Sequence, residues 1–192
     1  VNFSNMHASY GENGFAYSFC TTFFDKGIEE PEDYDDSILS ALYWMLEDEA
    51  DATEPQVMPN IIFVQLETYF DPSRLVGVEY SEDPVPVFTA LKEKYPHGML
   101  TVPVLGAGTA NTEFEVLCSI STSLFGAGEY PYSTVLQEKT CETIAYNLLE
   151  QGYSTTAMHN HTGTFYSRNS VYPNRGFDRF VSLAYMQGVK YT

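Results

Sequence analysis

The sequence predicts an α/β fold, a mostly parallel sheet flanked by helices, and three observations carry that expectation. Short apolar runs alternate with stretches whose apolar residues recur at helical spacing. The runs are rich in branched residues and apolar throughout, as in Asn60 to Leu66 (NIIFVQL), which suits strands buried on both faces. Glycines fall where a strand should give way to a helix, at Gly106 and Gly108, and where a helix should stop, at Gly152. Strands alternating with helices imply a parallel sheet covered on both sides.

Residues 1–58 read as a lead-in arm with one helix. Gly11, Gly14 and Gly27 punctuate an aromatic opening that includes Phe15 to Phe19, and an acidic turn follows from Glu29 to Asp36. Ser37 to Ala50 then predicts a helix, with Ile38, Leu39, Leu42, Met45 and Leu46 at helical spacing. Residues 59–192 carry the α/β pattern. Strands are expected at Asn60 to Leu66, Gly98 to Leu105, Tyr153 to Met158 and from Asp178 to Val181. Helices are expected at Val85 to Tyr95, at Thr109 to Ser121 with Phe114, Leu117, Cys118 and Ser121 inward, and at Glu138 to Gln151.

Composition narrows the function. The chain has 192 residues, 44% of them hydrophobic, so it can bury a core. Its 26 acidic against 9 basic residues give a net charge of −17, a field that repels nucleic acid and anionic head groups. A phosphate-bearing substrate therefore needs local help from a metal or an arginine. The 15 tyrosines and 13 phenylalanines are read first as packing, with stacking on sugars or polyols as the sharper alternative. Three scattered cysteines, Cys20, Cys118 and Cys141, make neither a disulfide framework nor a zinc or thioredoxin motif. No run approaches the length of a membrane span. The chain opens at Val1 without methionine, and both ends look cut, with room for a membrane anchor upstream.

In open α/β sheets ligands collect at the carboxyl ends of strands. Glu67 follows the first predicted strand, Gly106-Ala-Gly-Thr109 the second, and His159-Asn160-His161 the third. A carboxylate, a hydroxyl and two imidazoles are thus expected on one rim. The glycines allow a tight turn and close ligand approach. A threonine at a helix N-terminus sits beside unpaired N–H groups that favour an anion. Metal coordination would make its hydroxyl a nucleophile. The plainer reading is a helix cap. Thr112 and Glu115 supply a T-x-x-E capping box of their own, which weakens it, and spacing alone leaves both readings open.

The run Pro59-Asn-Ile-Ile-Phe-Val-Gln-Leu-Glu67 and the segment Gly106-Ala-Gly-Thr-Ala-Asn-Thr-Glu-Phe114 closely resemble the lipoteichoic acid synthase family of phosphoglycerol transferases. These are sulfatase-like enzymes of the alkaline phosphatase superfamily. Phe165-Tyr-Ser-Arg-Asn169 and Arg175-Gly-Phe-Asp178 agree with the family's aromatic-x-arginine segment, and Glu12-Asn-Gly-Phe15 is similar to the stretch that joins membrane and catalytic domains. The resemblance covers most of residues 59–185.

It implies that Thr109 is the nucleophile that takes up phosphoglycerol. By the same resemblance Glu67 is the first carboxylate ligand of a divalent cation shared with Thr109, manganese in the first place and magnesium as the alternative. Arg168 would contact substrate phosphate, where a planar guanidinium suits paired oxygens. Tyr166 stands where the family has a tryptophan and would stack on the glycerol. The family completes its metal site with an aspartate–histidine pair further along, beyond Thr192. His159 and His161 match no family metal position and are read as loop histidines before ligands. With two ligands at most, this chain alone is expected to bind metal weakly and to be inactive.

The implied reaction takes phosphoglycerol from a phosphatidylglycerol-type lipid to a glycan or polyol-phosphate acceptor at the extracellular face of the cell membrane. The membrane would be reached through a segment outside this chain, and no nucleic acid is involved. Phosphoethanolamine transfer and a non-catalytic module that binds polyol-phosphate chains are the alternatives. The sulfatase nucleophile pattern, cysteine or serine followed by x-P-x-R, is absent, as are the GxSxG and P-loop motifs. Sulfate-ester hydrolysis is therefore disfavoured.

Overall fold

The computed structural model describes residues 6–24, 27, 35–47, 57–66, 69–104, 108–126 and 128–189. The chain divides into two units, one formed by Val1–Ile62 with Pro103–Thr192 and the other by Phe63–Val102.

The first unit opens with helices α1 (Met6–Asn13) and α2 (Phe15–Phe24), where the sequence suggests only a glycine-punctuated arm. Gly11 lies within α1, and Gly14, at φ +77°, makes the turn between the two. The helices meet through small polar side chains. The buried Ser18 hydroxyl donates to the Ser9 carbonyl at 3.0 Å and lies 3.0 Å from Ser9 Oγ. Apolar periodicity carries no trace of such a contact, so the pairing leaves no mark in the sequence pattern. Helix α3 (Asp36–Glu47) matches the expected one, and Asp35 caps it by accepting from the amides of Ser37 and Ile38.

The unit's core gathers around α5 (Thr109–Cys118), whose Ala110 and Phe114 pack with Tyr132, Leu136 and Val171. Helix α6 (Ile144–Glu150) starts later than the expected Glu138. Thr143 sets that start, because its hydroxyl caps the amide of Ala145 at 3.2 Å and donates to the Arg175 carbonyl at 2.7 Å. Gly152, at φ +86°, follows its end as expected. Strand β1 (Thr156–His159) then pairs in parallel with β2 (Arg179–Ser182), in the register Thr156↔Arg179 to His159↔Ser182. The connection between them carries the short helix α7 (Arg168–Val171).

The turn into β2 is keyed to β1 by Thr155. Its hydroxyl donates to the Gly176 carbonyl at 2.7 Å and accepts from the Asp178 amide at 3.0 Å, while its own amide donates to Asp178 Oδ2 at 2.9 Å. Gly176 is obligatory there. Its φ is +77°, and a Cβ would come 2.8 Å from the Tyr146 ring.

The second unit holds α4 (Pro86–Lys94), close to the expected span. Tyr69 packs on Phe88 with ring centroids 4.9 Å apart, and Lys92 pairs with Asp71 at 3.0 Å.

Two expected strands, Asn60 to Leu66 and Gly98 to Leu105, take no part in a sheet among the described residues. Their apolar side chains stand open, with Ile62 83% and Met99 77% exposed. A continuous apolar run reports a segment made for burial on both faces, but a strand exists only where neighbours pair with it.

Candidate active site around the start of helix α5

Helix α5 begins at Thr109 because Gly108, at the cap position, is in a left-handed conformation, φ +83°, with its carbonyl accepting from the Asn111 amide at 2.9 Å. A Cβ at position 108 would lie 2.9 Å from Tyr130 Oη and 3.2 Å from Val104 Cγ1, so glycine is required by conformation and by space. Thr109 is therefore the first helical residue and Gly108 holds the cap position. The capping alternative for Thr109 is not the conformation adopted.

The expected Thr112–Glu115 capping box is also not formed, since Thr112 lies inside α5. Glu115 serves the other end of the helix. It accepts from the Thr122 amide at 2.6 Å and the Thr122 hydroxyl at 2.9 Å, holding the chain as it leaves α5. Of the residues expected to face inward, Phe114 is buried, Leu117 and Cys118 are half-buried, and Ser121 is exposed.

One turn on from Thr109 stands Glu113, on the same side of the helix. Its Oε1 accepts from the hydroxyls of Tyr132 and Tyr172, both at 2.5 Å. Its Oε2 accepts from Arg168 Nε at 3.2 Å and Nη2 at 2.9 Å. Arg168 Nη1 donates to the Phe165 carbonyl at 3.2 Å, and the guanidinium lies against the rings of Tyr166 and Phe165. The Arg168 side chain is only 2% exposed. Burial, the largest single influence, pulls its pKa down, but Glu113 and Tyr172 together outweigh it and the net displacement is upward. Burial first and the carboxylate second push the Tyr172 hydroxyl far up, so it remains a donor.

Tyr166 completes the wall. It stacks on Tyr130 at 5.8 Å, and Tyr130 in turn lies against Gly108. Thr109, Arg168 and Tyr166 are thus gathered around one feature, the first turns of α5. Tyr166 and Ser167 both adopt φ +54°, an unfavourable conformation for residues with a side chain. The strain sits where Tyr166 is folded over the arginine.

Arg175 belongs to the same interior. It is fully buried, donates to Tyr132 Oη and, at 3.0 Å, to Cys118 Sγ, and burial lowers its pKa. The Arg175-Gly-Phe-Asp178 motif thus works in packing and in the turn that feeds β2.

At the carboxyl end of β1, His159 Nδ1 accepts from the His161 amide at 3.2 Å, and His161 Nδ1 accepts from the Thr162 amide at 2.8 Å. The His161 ring packs on Phe165 at 4.5 Å. The same strand ends border a cleft of about 610 Å³ whose lining includes Thr162, Asn169 and Ser182 together with Phe180, Leu183 and Tyr185.

Glu67 lies outside the described residues. Among the described residues no three histidine, cysteine, aspartate or glutamate side chains come together as a metal cage. They do not by themselves fit a divalent cation. What they do show is a guanidinium held by Glu113, one turn along the helix that begins at Thr109.

Glu113 and the tyrosines around it do not stand out in the sequence, although a signal is present. Position 113 falls on the α5 face that also carries Ala110 and Phe114, and a carboxylate on an inward face needs partners. Sequence spacing gives no means of naming Tyr132, Tyr172 and Arg168 as those partners.

A parallel strand pair joined through helices, with polar groups at the strand ends and at a helix N-terminus, makes this an α/β chain. It belongs to the sulfatase family, whose family model matches residues 59–191. Members of that family are enzymes that hydrolyse or transfer ester groups, and the superfamily works with divalent metals. The chain is 29% identical over 174 residues to a putative cyclic beta-1,2-glucan modification protein of Rhizobium meliloti, a match that covers 91% of this chain. The chain spans 26% of that relative's length. Among solved structures, the lipoteichoic acid synthase LtaP of Listeria monocytogenes aligns with 41% of this chain and 18% of its own, at 23% identity and a TM-score of 0.37. No helix among the described residues is long and apolar enough to cross a membrane.

Proposed function

We propose that the full protein carrying this chain transfers phosphoglycerol from a phosphatidylglycerol-type lipid to a glycan, with Thr109 as the residue that holds the group in transit. The observation that carries the reading is the placement of Thr109 at the first turn of α5, after a left-handed glycine and one turn before the carboxylate that grips Arg168.

Thr109 attacks phosphorus through its hydroxyl oxygen and gives up the proton, diacylglycerol leaves as the alcohol by taking one up, and an acceptor hydroxyl then displaces the threonine, its proton restoring the Thr109 hydroxyl. The start of helix α5 turns the positive end of its dipole toward the phosphoryl oxygens as their charge grows. Arg168 presents its guanidinium to the same oxygens. Tyr166 covers Arg168, so the phosphate enters along the edge that this ring guards, and the strained backbone at Tyr166 and Ser167 favours its displacement. Tyr166 then stacks on the glycerol. Glu67 and Thr109 would hold a divalent cation, manganese or magnesium, whose chemistry when bound is to lower the pKa of the threonine hydroxyl. The site faces the outside of the cell.

A glycan acceptor is favoured because the relative that matches 91% of this chain is named as a glucan modification protein. The cleft at the strand ends sets hydroxyls and an amide beside Phe180, Leu183 and Tyr185, a mix that suits the polar edges and apolar faces of a neutral sugar. The test is turnover by the full-length protein with phosphatidylglycerol, manganese and a cyclic glucan. Diacylglycerol release together with phosphoglycerol on the glucan, both abolished in Thr109→Ala, is the expected result. Glucan binding without diacylglycerol release would instead identify a binding module. Faster turnover of phosphatidylethanolamine would make the head group phosphoethanolamine.

A further inference from the structure

We infer that Glu113 is a positioning residue for the phosphate-binding arginine. It fixes the edge that Arg168 presents and ties that edge to the helix that begins at Thr109. The inference rests on the reading of Arg168 given above and goes beyond it by assigning the residue that orients the guanidinium.

Three features carry it. First, the carboxylate is saturated in a directional way. Oε2 takes the Nε and Nη2 donors of Arg168, while Oε1 takes the two tyrosine hydroxyls. Tyr132 and Tyr172 therefore hold the carboxylate still, and the carboxylate holds the arginine. Second, engaging the Nε side of the guanidinium leaves its far edge, formed by Nη1 and Nη2, as the edge for an incoming pair of oxygens. Nη1 also donates to the Phe165 carbonyl, which helps to fix the turn of the planar guanidinium about the Cδ–Nε bond. Third, Glu113 and Thr109 are one helical turn apart on α5, whereas Arg168 arrives from a segment 55 residues further along. The carboxylate therefore ties the arginine to the helix that carries the threonine.

A merely structural ion pair would protect the fold and leave ligand affinity unchanged at equal stability. A positioning residue predicts a loss of affinity that stability does not explain. The experiment measures glycerol phosphate binding by calorimetry on the full-length protein, alongside the melting temperature, in Glu113→Gln, Arg168→Ala and the double variant. Glutamine keeps the size and one acceptor but loses the charge-assisted grip. It should weaken glycerol phosphate binding about tenfold, the scale of one charge-assisted hydrogen bond. The double variant should bind no worse than Arg168→Ala, because Glu113 acts only through the arginine.

Tyr172→Phe removes one of the donors that steady the carboxylate. It should fold normally and lose about threefold in affinity, and it carries the test if Glu113→Gln does not fold. Wild-type affinity in Tyr172→Phe and in folded Glu113→Gln, with affinity lost in Arg168→Ala, would overturn the positioning role alone. Wild-type affinity in Arg168→Ala would overturn the phosphate-binding reading and this inference with it.

Discussion

Glu113 and Arg168 meet at 2.9 Å across 55 residues of chain, and the pair joins α5 to the segment that leads into β2. The Arg168 side chain is 2% exposed and that of Glu113 12%, so both charges are largely out of water. Removing one partner strands the other. Glu113→Ala should cost about 3–5 kcal/mol of stability, read from urea unfolding. Glu113→Leu combined with Arg168→Met should cost less than the sum of the two single changes, since a buried pair replaced by apolar groups leaves no stranded charge. Full additivity would show that the two charges do not depend on each other.

Gly108 is held in place by its backbone and by Tyr130. Gly108→Ala puts a methyl 2.9 Å from Tyr130 Oη at a positive φ. The conformational part alone costs about 1–2 kcal/mol. Adding Tyr130→Phe removes the nearest atom and should recover part of the loss in thermal unfolding. No recovery would place the cost entirely in the backbone.

Alkaline pH should destabilise the protein in a defined window. Burial, with the neighbouring Cys118 second, pushes the Cys141 thiol from 9.0 up to about 12, and burial also raises Tyr172. Both groups keep their protons longer when folded. The unfolded chain thus releases protons first, and stability falls as pH rises from about 9 toward 12. Urea unfolding at stepped pH should show that decline, softened in Cys141→Ser. Native alkylation at pH 8 should label exposed Cys20 well before Cys141. Equal labelling rates would contradict the burial of that thiol.

The legibility of this chain in its sequence follows a physical division. Helix α5 is legible at its first residue because a glycine turn followed by helical spacing is a local signal, and the end of α6 at Gly152 is of the same kind. Strands β1 and β2 are also legible, each a short β-rich run after a glycine or an acidic turn. Asn60 to Leu66 shows the limit. Its composition is that of a buried strand, yet pairing belongs to neighbours and cannot be read from the run itself. The site divides in the same way. Thr109 is singled out by its own surroundings, while Glu113 acquires its meaning from Tyr132, Tyr172 and Arg168, which lie 19, 59 and 55 residues away.

Since Gly108 and not Thr109 occupies the cap position of α5, Thr109→Ala removes the hydroxyl the chemistry requires without removing the helix cap. The most direct measurement uses that separation. The full-length protein is mixed with phosphatidylglycerol and manganese, quenched in acid, and its peptides are mapped by mass spectrometry. The account predicts a glycerophosphoryl group on Thr109 in the wild type and none in the folded Thr109→Ala variant. Diacylglycerol released at the wild-type rate by Thr109→Ala, or a covalent group carried on another residue, would contradict it.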